Sequence, residues 1–371
     1  MFENLKTPSY VCFEELLEKN LKLLSDVKAQ SGAKILLALK GFSFYHLEPL
    51  VSKYLDGCCA SGLWEAKLSA EKFKGETHTY SPAFKEEEID EILSLSHHVV
   101  FNSFAQWEKY KDKALGQTSC GLRINPEVSC APVELYNPCG LYSRFGVTQK
   151  EFDEKLLEGL EGLHFHALCE QGADALEIVL EAVEAKFGKY IHQMKWVNFG
   201  GGHHITKAGY DVEKLISLIR KFRAKYDVEV YLEPGEAIGW EVGVLVARVQ
   251  DIIQNGMPVA ILDASAEAHM PDTLAMPYRA QVRGAGLRGE KAYTYKLTGN
   301  SCLSGDIMGD YSFDAPLKVG DVVIFEDQIH YTIVKNTTFN GIQLPSLAVV
   351  KKEGILKVVK EFSYEDYRDR N

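Results

Sequence analysis

Apolar and polar positions follow one another along this chain in two rhythms, and the change between them falls near Ile238. Before that point, short apolar runs bounded by glycine or polar residues alternate with charged stretches whose apolar residues recur at helical spacing. The runs predict strands at 34–40, 56–61, 77–81, 97–102, 120–125, 162–167, 195–200 and 229–233. Helices are predicted at 14–30, where Leu17, Leu21 and Leu24 share a face, and at 65–73, 86–95, 104–113, 173–187 and 212–225. About eight such units is the number that closes a parallel (β/α)8 barrel of the TIM type, an α/β fold. Barrels of this kind carry their chemistry at the carboxyl ends of the strands, where this chain places Lys40, Ser61, Asn102, Asn125 and Glu233.

Past Ile238 the helical spacing disappears. Runs at 242–250, 259–263, 278–282, 293–297, 322–325, 329–334, 346–350 and 355–361 are separated by Gly, Pro, Asn and Asp, which predicts a mostly antiparallel β domain, a sandwich or small barrel. A strand expected at 7–13 precedes the barrel and can pair into that second domain. The expected division is therefore a barrel over 14–238 and a β domain built from 1–13 and 239–371. The loop 126–146 is long and rich in Pro, Cys and Tyr, as substrate lids and walls at a barrel mouth often are.

Composition narrows the function. The 371 residues are 46% hydrophobic and 25% charged, with a formal net charge of -11, which argues against nucleic acid and is compatible with a cationic substrate. The start, Met1-Phe2-Glu3-Asn4-Leu5-Lys6, does not read as a secretory signal and no apolar run reaches membrane-spanning length, so a cytoplasmic protein is expected. The 8 cysteines are scattered without the short spacing of a zinc or redox motif, and are read as reduced thiols.

Lys34-Ile35-Leu36-Leu37-Ala38-Leu39-Lys40-Gly41-Phe42 delivers a lysine at the end of a core strand. Desolvation there would make Lys40 a usable nucleophile toward an aldehyde; alternatively the side chain turns out to solvent. Asn198-Phe199-Gly200-Gly201-Gly202-His203, after the seventh strand, offers backbone N–H groups to an anion such as a phosphate, or is a tight strand-to-helix turn. After the eighth strand, Glu233-Pro234-Gly235-Glu236 supplies a carboxylate suited to the ring nitrogen of pyridoxal phosphate, or merely caps a turn. His164 and His166 fall on one side of the sixth strand. A metal pair lacks further ligands at later strand ends, and an imidazole stacked on a cofactor ring fits His166 better, with His164 a hydrogen-bonded core histidine.

These segments, together with Ser301-Cys302, occur in the order seen in the alanine-racemase-fold (fold type III) pyridoxal phosphate decarboxylases, and the chain resembles that family over nearly its whole length. Through Arg123-Ile124-Asn125-Pro126-Glu127, Tyr142-Ser143-Arg144-Phe145-Gly146, His269-Met270-Pro271-Asp272 and Cys302-Leu303-Ser304-Gly305-Asp306 it is most similar to the branch acting on carboxylated polyamines. The resemblance implies pyridoxal 5'-phosphate as cofactor, held covalently by Lys40. It places His166 on the ring, Gly200, Gly201, Gly202 and Gly235 around the phosphate, Glu233 at the pyridine nitrogen and Tyr331 on the phosphate. Cys302 would come from the second subunit of a homodimer to protonate the carbanion.

Departures bear on substrate. Leu303 stands where ornithine, lysine and diaminopimelate decarboxylases carry an acid after the cysteine, and Glu236 stands where those relatives usually have arginine. With Leu303 there the distal amine must be held elsewhere, and a carboxylate at Glu236 suits a substrate with additional ammonium groups, for which Glu236 and Asp272 are the expected partners, with Asp306 and Arg144 as weaker candidates that are alternatively structural. The expectation is decarboxylation of carboxynorspermidine or carboxyspermidine to norspermidine or spermidine. The rivals are another decarboxylase of the fold, an amino-acid racemase (against which Glu233 speaks), a metal-dependent barrel hydrolase, and a non-catalytic pyridoxal phosphate carrier.

Overall fold

The computed structural model describes residues 1–131 and 134–371; of the expected lid at 126–146, Pro132 and Val133 lie outside the described residues. The chain divides into two compact units, one of Glu18–Ile238 and the other of Met1–Leu17 with Gly239–Asn371. The division falls inside the helix Glu14–Ser31, whose Leu17, Leu21, Leu24 and Val27 are fully buried. Burying one such side chain contributes about 1.5–3 kcal/mol, so this face more than offsets the helix's polar remainder. Glu14 and Glu15 in the first turn complement the helix dipole.

The first strand, β1 (Ser9–Phe13), belongs to the β unit and is described with it below. The barrel unit is a closed parallel ring of eight strands. They are β2 (Lys34–Ala38), β3 (Gly57–Ala60), β4 (Glu76–Tyr80), β5 (His98–Phe101), β6 (Ser119–Arg123), β7 (Gly162–His164), β8 (Trp196–Asn198) and β9 (Glu229–Leu232). Closure is made by β2 beside β9, with Lys34 opposite Tyr231 and Ile35 opposite Leu232. Each strand ends one to three residues before its expected run does, so the polar residues that close the runs stand beyond the ladder. Leu36, Val100, Trp196 and Tyr231 fill the interior.

Toward the amino ends of the strands lies a polar layer. Lys34 Nζ is 2.6 Å from Glu76 Oε1 and 3.1 Å from both Glu229 Oε1 and the Tyr231 hydroxyl. Glu76 Oε2 is 2.8 Å from His78 Nε2, and His78 stacks on His98 at 3.9 Å between ring centroids. Among the described residues, Glu76, His78 and His98 are the one group whose ligand atoms lie close enough to hold a metal ion. Their geometry opposes it: near-parallel stacked rings direct their in-plane lone pairs side by side rather than to one point, and Glu76 is already paired with Lys34.

The β unit holds an eight-stranded sheet of β1, β10 (Gly243–Asn255), β11 (Met257–Leu262), β12 (Tyr293–Thr298), β13 (Ile307–Phe313), β14 (Val322–Glu326), β15 (Ser346–Val350) and β16 (Leu356–Lys360). Its order is β13-β12-β11-β10-β1-β15-β16, with β14 also on β10. The pairs are antiparallel except β1 with β15 and β11 with β12. The expected amino-terminal strand thus pairs in this sheet, antiparallel to β10 and parallel to β15. β10 serves two neighbourhoods because its ladder with β11 shifts register between Val249 and Asp251, which turns its second half toward new partners.

Two expected strands are absent. Residues 278–282 contribute only an isolated bridge from Val282 to Phe325. At 329–334, Tyr331 takes φ 50, ψ -50, and Thr332 N–H bonds to the His330 carbonyl, a γ-turn that leads into the short helix Thr332–Lys335. Conversely β13 was not expected, because Gly309-Asp310 in its middle reads as a turn; Gly309 keeps the strand going at φ 135.

Candidate functional site

The barrel part of the site begins where β2 ends. Gly41 N–H closes a turn on the Ala38 carbonyl at 3.0 Å, and Ala38 N–H bonds to the Pro234 carbonyl at 3.0 Å, which ties this turn to the one after β9. The two turns meet glycine to glycine: a Cβ on Gly41 would lie 3.0 Å from Gly235 Cα, and one on Gly235 3.2 Å from Gly41 Cα. Lys40 stands on the turn with its side chain exposed, so the burial expected from the apolar run ends one residue short of it, at Leu39. Position beside the β9 turn, rather than desolvation, is what distinguishes this amine.

Glu233, two residues before Gly235, is a largely buried carboxylate, its side chain 12% exposed, with one donor on each oxygen among the described residues. Asn198 Nδ2 lies 2.7 Å from Oε1 and His164 Nε2 3.2 Å from Oε2. Burial pushes its pKa up, but the charge and hydrogen bond of His164, then the His78 charge and the Asn198 hydrogen bond, outweigh it and hold the group well below the usual carboxylate range. Burial pushes the His164 pKa below the ordinary histidine value against the pull of Glu233, and Tyr80 stacks beside the ring at 5.4 Å.

β7 ends at His164, so His166 stands beyond the strand rather than along it. Its Nδ1 accepts Gly201 N–H at 2.9 Å, which leaves the hydrogen of the neutral ring on Nε2. Burial, then the Lys40 and Arg123 charges, hold its pKa well below the ordinary histidine value. Gly200 and Gly202 have positive φ, and a Cβ on Gly201 would stand 2.4 Å from the Glu233 carbonyl oxygen, so the triple glycine is required by the backbone itself. Gly200 N–H bonds to Asn198 Oδ1 at 2.8 Å and Gly201 N–H to His166. Two of the four glycine donors expected to face an anion are therefore committed within the protein, and Gly202 and Gly235 are the remaining ones from that set.

Sequence reasoning passed over two residues here. Arg123, at the end of β6, is 5% exposed and its guanidinium lies between the Tyr80 and Phe145 rings, 4.5 Å from each centroid, with a 3.4 Å contact to the His166 carbonyl. Asn198 is wholly buried and orients Glu233. The available signal for both was the one that drew notice to Lys40, a polar side chain ending an apolar run. Arg144 is exposed and stacks on Phe145 at 4.2 Å, while its carbonyl accepts from Asn102. Glu236 opens a one-turn helix, with Oε2 3.8 Å from His204 Nε2.

The β unit carries the other expected residues. Cys302 is exposed, and its N–H is held by Asn340 Oδ1. Asp306, expected as a substrate ligand, is not available for one: it is 2% exposed and its oxygens accept Ala266 N–H at 2.6 Å, Glu267 N–H at 3.3 Å and Ser301 N–H at 3.2 Å. It pins the segment preceding Cys302 to the start of the helix Ala266–His269. Both oxygens of Asp272 lie 2.8 Å from Lys335 Nζ, which also stands 5.3 Å from the Tyr331 ring centroid.

An amine, a flat neutral imidazole, a carboxylate that accepts only from neutral donors, and glycines whose side chains would obstruct close approach make a set that fits a phosphorylated pyridine aldehyde. Comparison with known proteins points the same way. Residues 43–328 match the family model "Pyridoxal-dependent decarboxylase, C-terminal sheet domain". The chain is 58% identical, over the full length of both proteins, to the carboxynorspermidine/carboxyspermidine decarboxylase of Campylobacter jejuni. It is 43% identical to the carboxyaminopropylagmatine decarboxylase of Synechocystis, over 99% of this chain and 96% of that one. The crystal structure of carboxynorspermidine decarboxylase complexed with norspermidine, from Campylobacter jejuni, superposes with a TM-score of 0.94 at 56% identity, covering 99% of this chain and all of that one.

Proposed function

Because the chain belongs to the pyridoxal-dependent decarboxylases, we propose that it removes the α-carboxylate of carboxynorspermidine and carboxyspermidine, yielding norspermidine and spermidine for polyamine biosynthesis. Pyridoxal 5'-phosphate supplies a sink for the electron pair left at the α-carbon when carbon dioxide departs. The residues of this chain supply the rest. Lys40 Nζ would hold the coenzyme covalently and yield it to the substrate amine. His166 would lie against the ring, and Glu233 would accept the ring N–H and keep that nitrogen protonated. Gly202 and Gly235 N–H groups, with the Tyr331 hydroxyl, would meet the phosphate. Cys302 would return a proton to the α-carbon, serving the barrel of a partner subunit in a homodimer. Residues 14–238 act in this reading as the coenzyme-binding domain, and the protein works in the cytoplasm.

Glu236 and Asp272 are proposed as acceptors for the substrate's additional ammonium groups. Asp272 now holds the Lys335 ammonium, so a substrate amine would replace one cation by another at little electrostatic cost. Arg144 is kept as a contributor to the mouth through its loop.

The observation that carries the reading is Glu233: a largely buried carboxylate, held ionised, just past β9, the strand that pairs with β2, two residues beyond whose end Lys40 stands. The test is carbon dioxide release from carboxynorspermidine, carboxyspermidine, carboxyaminopropylagmatine, diaminopimelate and ornithine, with Lys40→Ala as control. The first two are expected as preferred substrates, and Lys40→Ala is expected to lose both turnover and the long-wavelength absorbance of the reconstituted protein. Preference for diaminopimelate or ornithine would sink the substrate assignment; a Lys40→Ala protein with unchanged absorbance would sink the coenzyme reading.

A further inference from the structure

We propose that His164 and Asn198 are positioning residues that fix the Glu233 carboxylate as a two-sided acceptor and reserve its free lone pairs for a protonated ring nitrogen. This rests on the coenzyme reading above and adds to it the two side chains through which Glu233 is made fit for its part.

The three residues end neighbouring strands, His164 on β7, Asn198 on β8 and Glu233 just past β9. Each Glu233 oxygen takes one protein donor, at 2.7 Å from Asn198 and 3.2 Å from His164. A carboxylate has about four lone-pair directions, so about two stay open. Asn198 is itself unable to flip, because its Oδ1 accepts Gly200 N–H at 2.8 Å and its amino group is thereby turned to Glu233. His164 is fixed in another way. Its Nδ1 is shielded and, among the described residues, without a hydrogen-bond partner in a ring 2% exposed, so a proton placed there would be a buried N–H with no acceptor. The ring is therefore neutral, with its hydrogen on Nε2 and donated to Glu233.

The groups facing this pair work in the same direction. Arg123, stacked over Tyr80, and Lys40 place positive charge near His164 and oppose its protonation. His78 faces Glu233, while Cys59 and Tyr80, which also sense its charge, are kept neutral chiefly by burial. The donors of Glu233 are thus neutral by construction and do not neutralise it. A third donor that brings a positive charge is what the carboxylate lacks.

The test uses full-length parent, His164→Leu, His164→Gln and Asn198→Asp proteins, each checked by circular dichroism. Pyridoxal phosphate affinity is titrated from about pH 5 to about pH 8. In the parent Glu233 stays ionised throughout and contributes no acid limb. In His164→Leu the carboxyl keeps its burial but loses a donor and rises into the range. Below that point Glu233 must give up a proton to accept the ring N–H, so affinity falls about tenfold per pH unit relative to the parent. His164→Gln retains an N–H donor and is expected within about threefold of the parent. Asn198→Asp sets a second carboxylate against Glu233 and produces the same limb by like-charge coupling, which keeps the test open if His164→Leu does not fold. A folded His164→Leu or Asn198→Asp protein with the parent's pH dependence overturns the proposal, as does a limb that His164→Gln shares. A parent that binds no pyridoxal phosphate overturns the coenzyme reading instead.

Discussion

Gly41→Ala is the smallest change that separates position from composition at this site. The added methyl would stand 3.0 Å from Gly235 Cα, 3.1 Å from Gly235 C and 3.2 Å from Glu236 N. Carbon contacts relax at about 3.5–4.0 Å, so the turn after β9 must withdraw from Gly41 by a few tenths of an ångström. All three atoms are backbone, which gives less readily than the end of a side chain. Overpacking of this kind costs about 1–3 kcal/mol. The displacement acts on Gly235 and Glu236 at one end and on Lys40 at the other. A coenzyme held by both turns is expected to bind about tenfold more weakly or worse, the equivalent of about 1.4 kcal/mol. Gly62→Ala is the control, since a methyl there meets nothing within 4 Å among the described residues. The assays are thermal melting of the coenzyme-free proteins and titration with pyridoxal phosphate. Gly41→Ala indistinguishable from Gly62→Ala in both would refute the contact; lower melting with unchanged coenzyme affinity would show that the contact is packing alone.

Two further expectations concern the frame around the site. Burial, and then the His78 ring beside it, bring the His98 pKa down to about 2, so below about pH 6.5 the unfolded chain binds a proton that the folded chain refuses. Stability should fall with acid by about 2 kcal/mol between pH 6.5 and pH 5 from this group. The melting temperature followed over that range should fall less in His98→Phe, which keeps the stack, and an equal fall in both proteins would exclude the histidine as its source. In Asp306→Asn the amide that replaces one oxygen faces the Ser301 N–H, donor to donor, at an expected cost of about 1–3 kcal/mol. Faster reaction of the Cys302 thiol with a disulfide reagent should accompany the lower melting temperature, and unchanged labelling would show that Asp306 does not govern that segment.

The barrel was legible because most of its strands hold short apolar runs set between polar boundaries, so that Lys34 through Ala38 or His98 through Phe101 announce themselves without reference to any partner, whereas β4 (Glu76–Tyr80) is carried by alternating threonines instead. The strand at 329–334 was misread for the opposite reason. Its residues favour strands, but Tyr331 is bent into a γ-turn by a local hydrogen bond that no periodicity encodes. At the site, residue type showed where chemistry is available and not how it is committed. Asp306 read as either a weak substrate ligand or a structural acid, and three backbone donors make it the second; Gly201 looked like an open N–H and donates to His166. His164 and Glu233 stand 69 positions apart, and only closure of the barrel shows that one completes the other.

The two polar layers of the barrel explain why chemistry is expected at one end and not the other. Near the amino ends of the strands, Glu76 is met by the Lys34 ammonium at 2.6 Å and by the Tyr231 hydroxyl and His78, so its charge is answered within the protein. Near the carboxyl ends, the hydrogen-bond partners of Glu233 among the described residues are an amide and a neutral imidazole. A buried ion left without an opposite charge is a standing cost of several kcal/mol. These donors reduce that cost, and the Arg123 charge reduces it further from a distance, yet among the described residues no cation forms an ion pair with the carboxylate as Lys34 does with Glu76. The first layer is closed to any further cation because Lys34 is built into it. The second is made stable enough to fold and incomplete enough to bind, and a coenzyme whose ring carries an N–H with a positive charge supplies the missing counterpart.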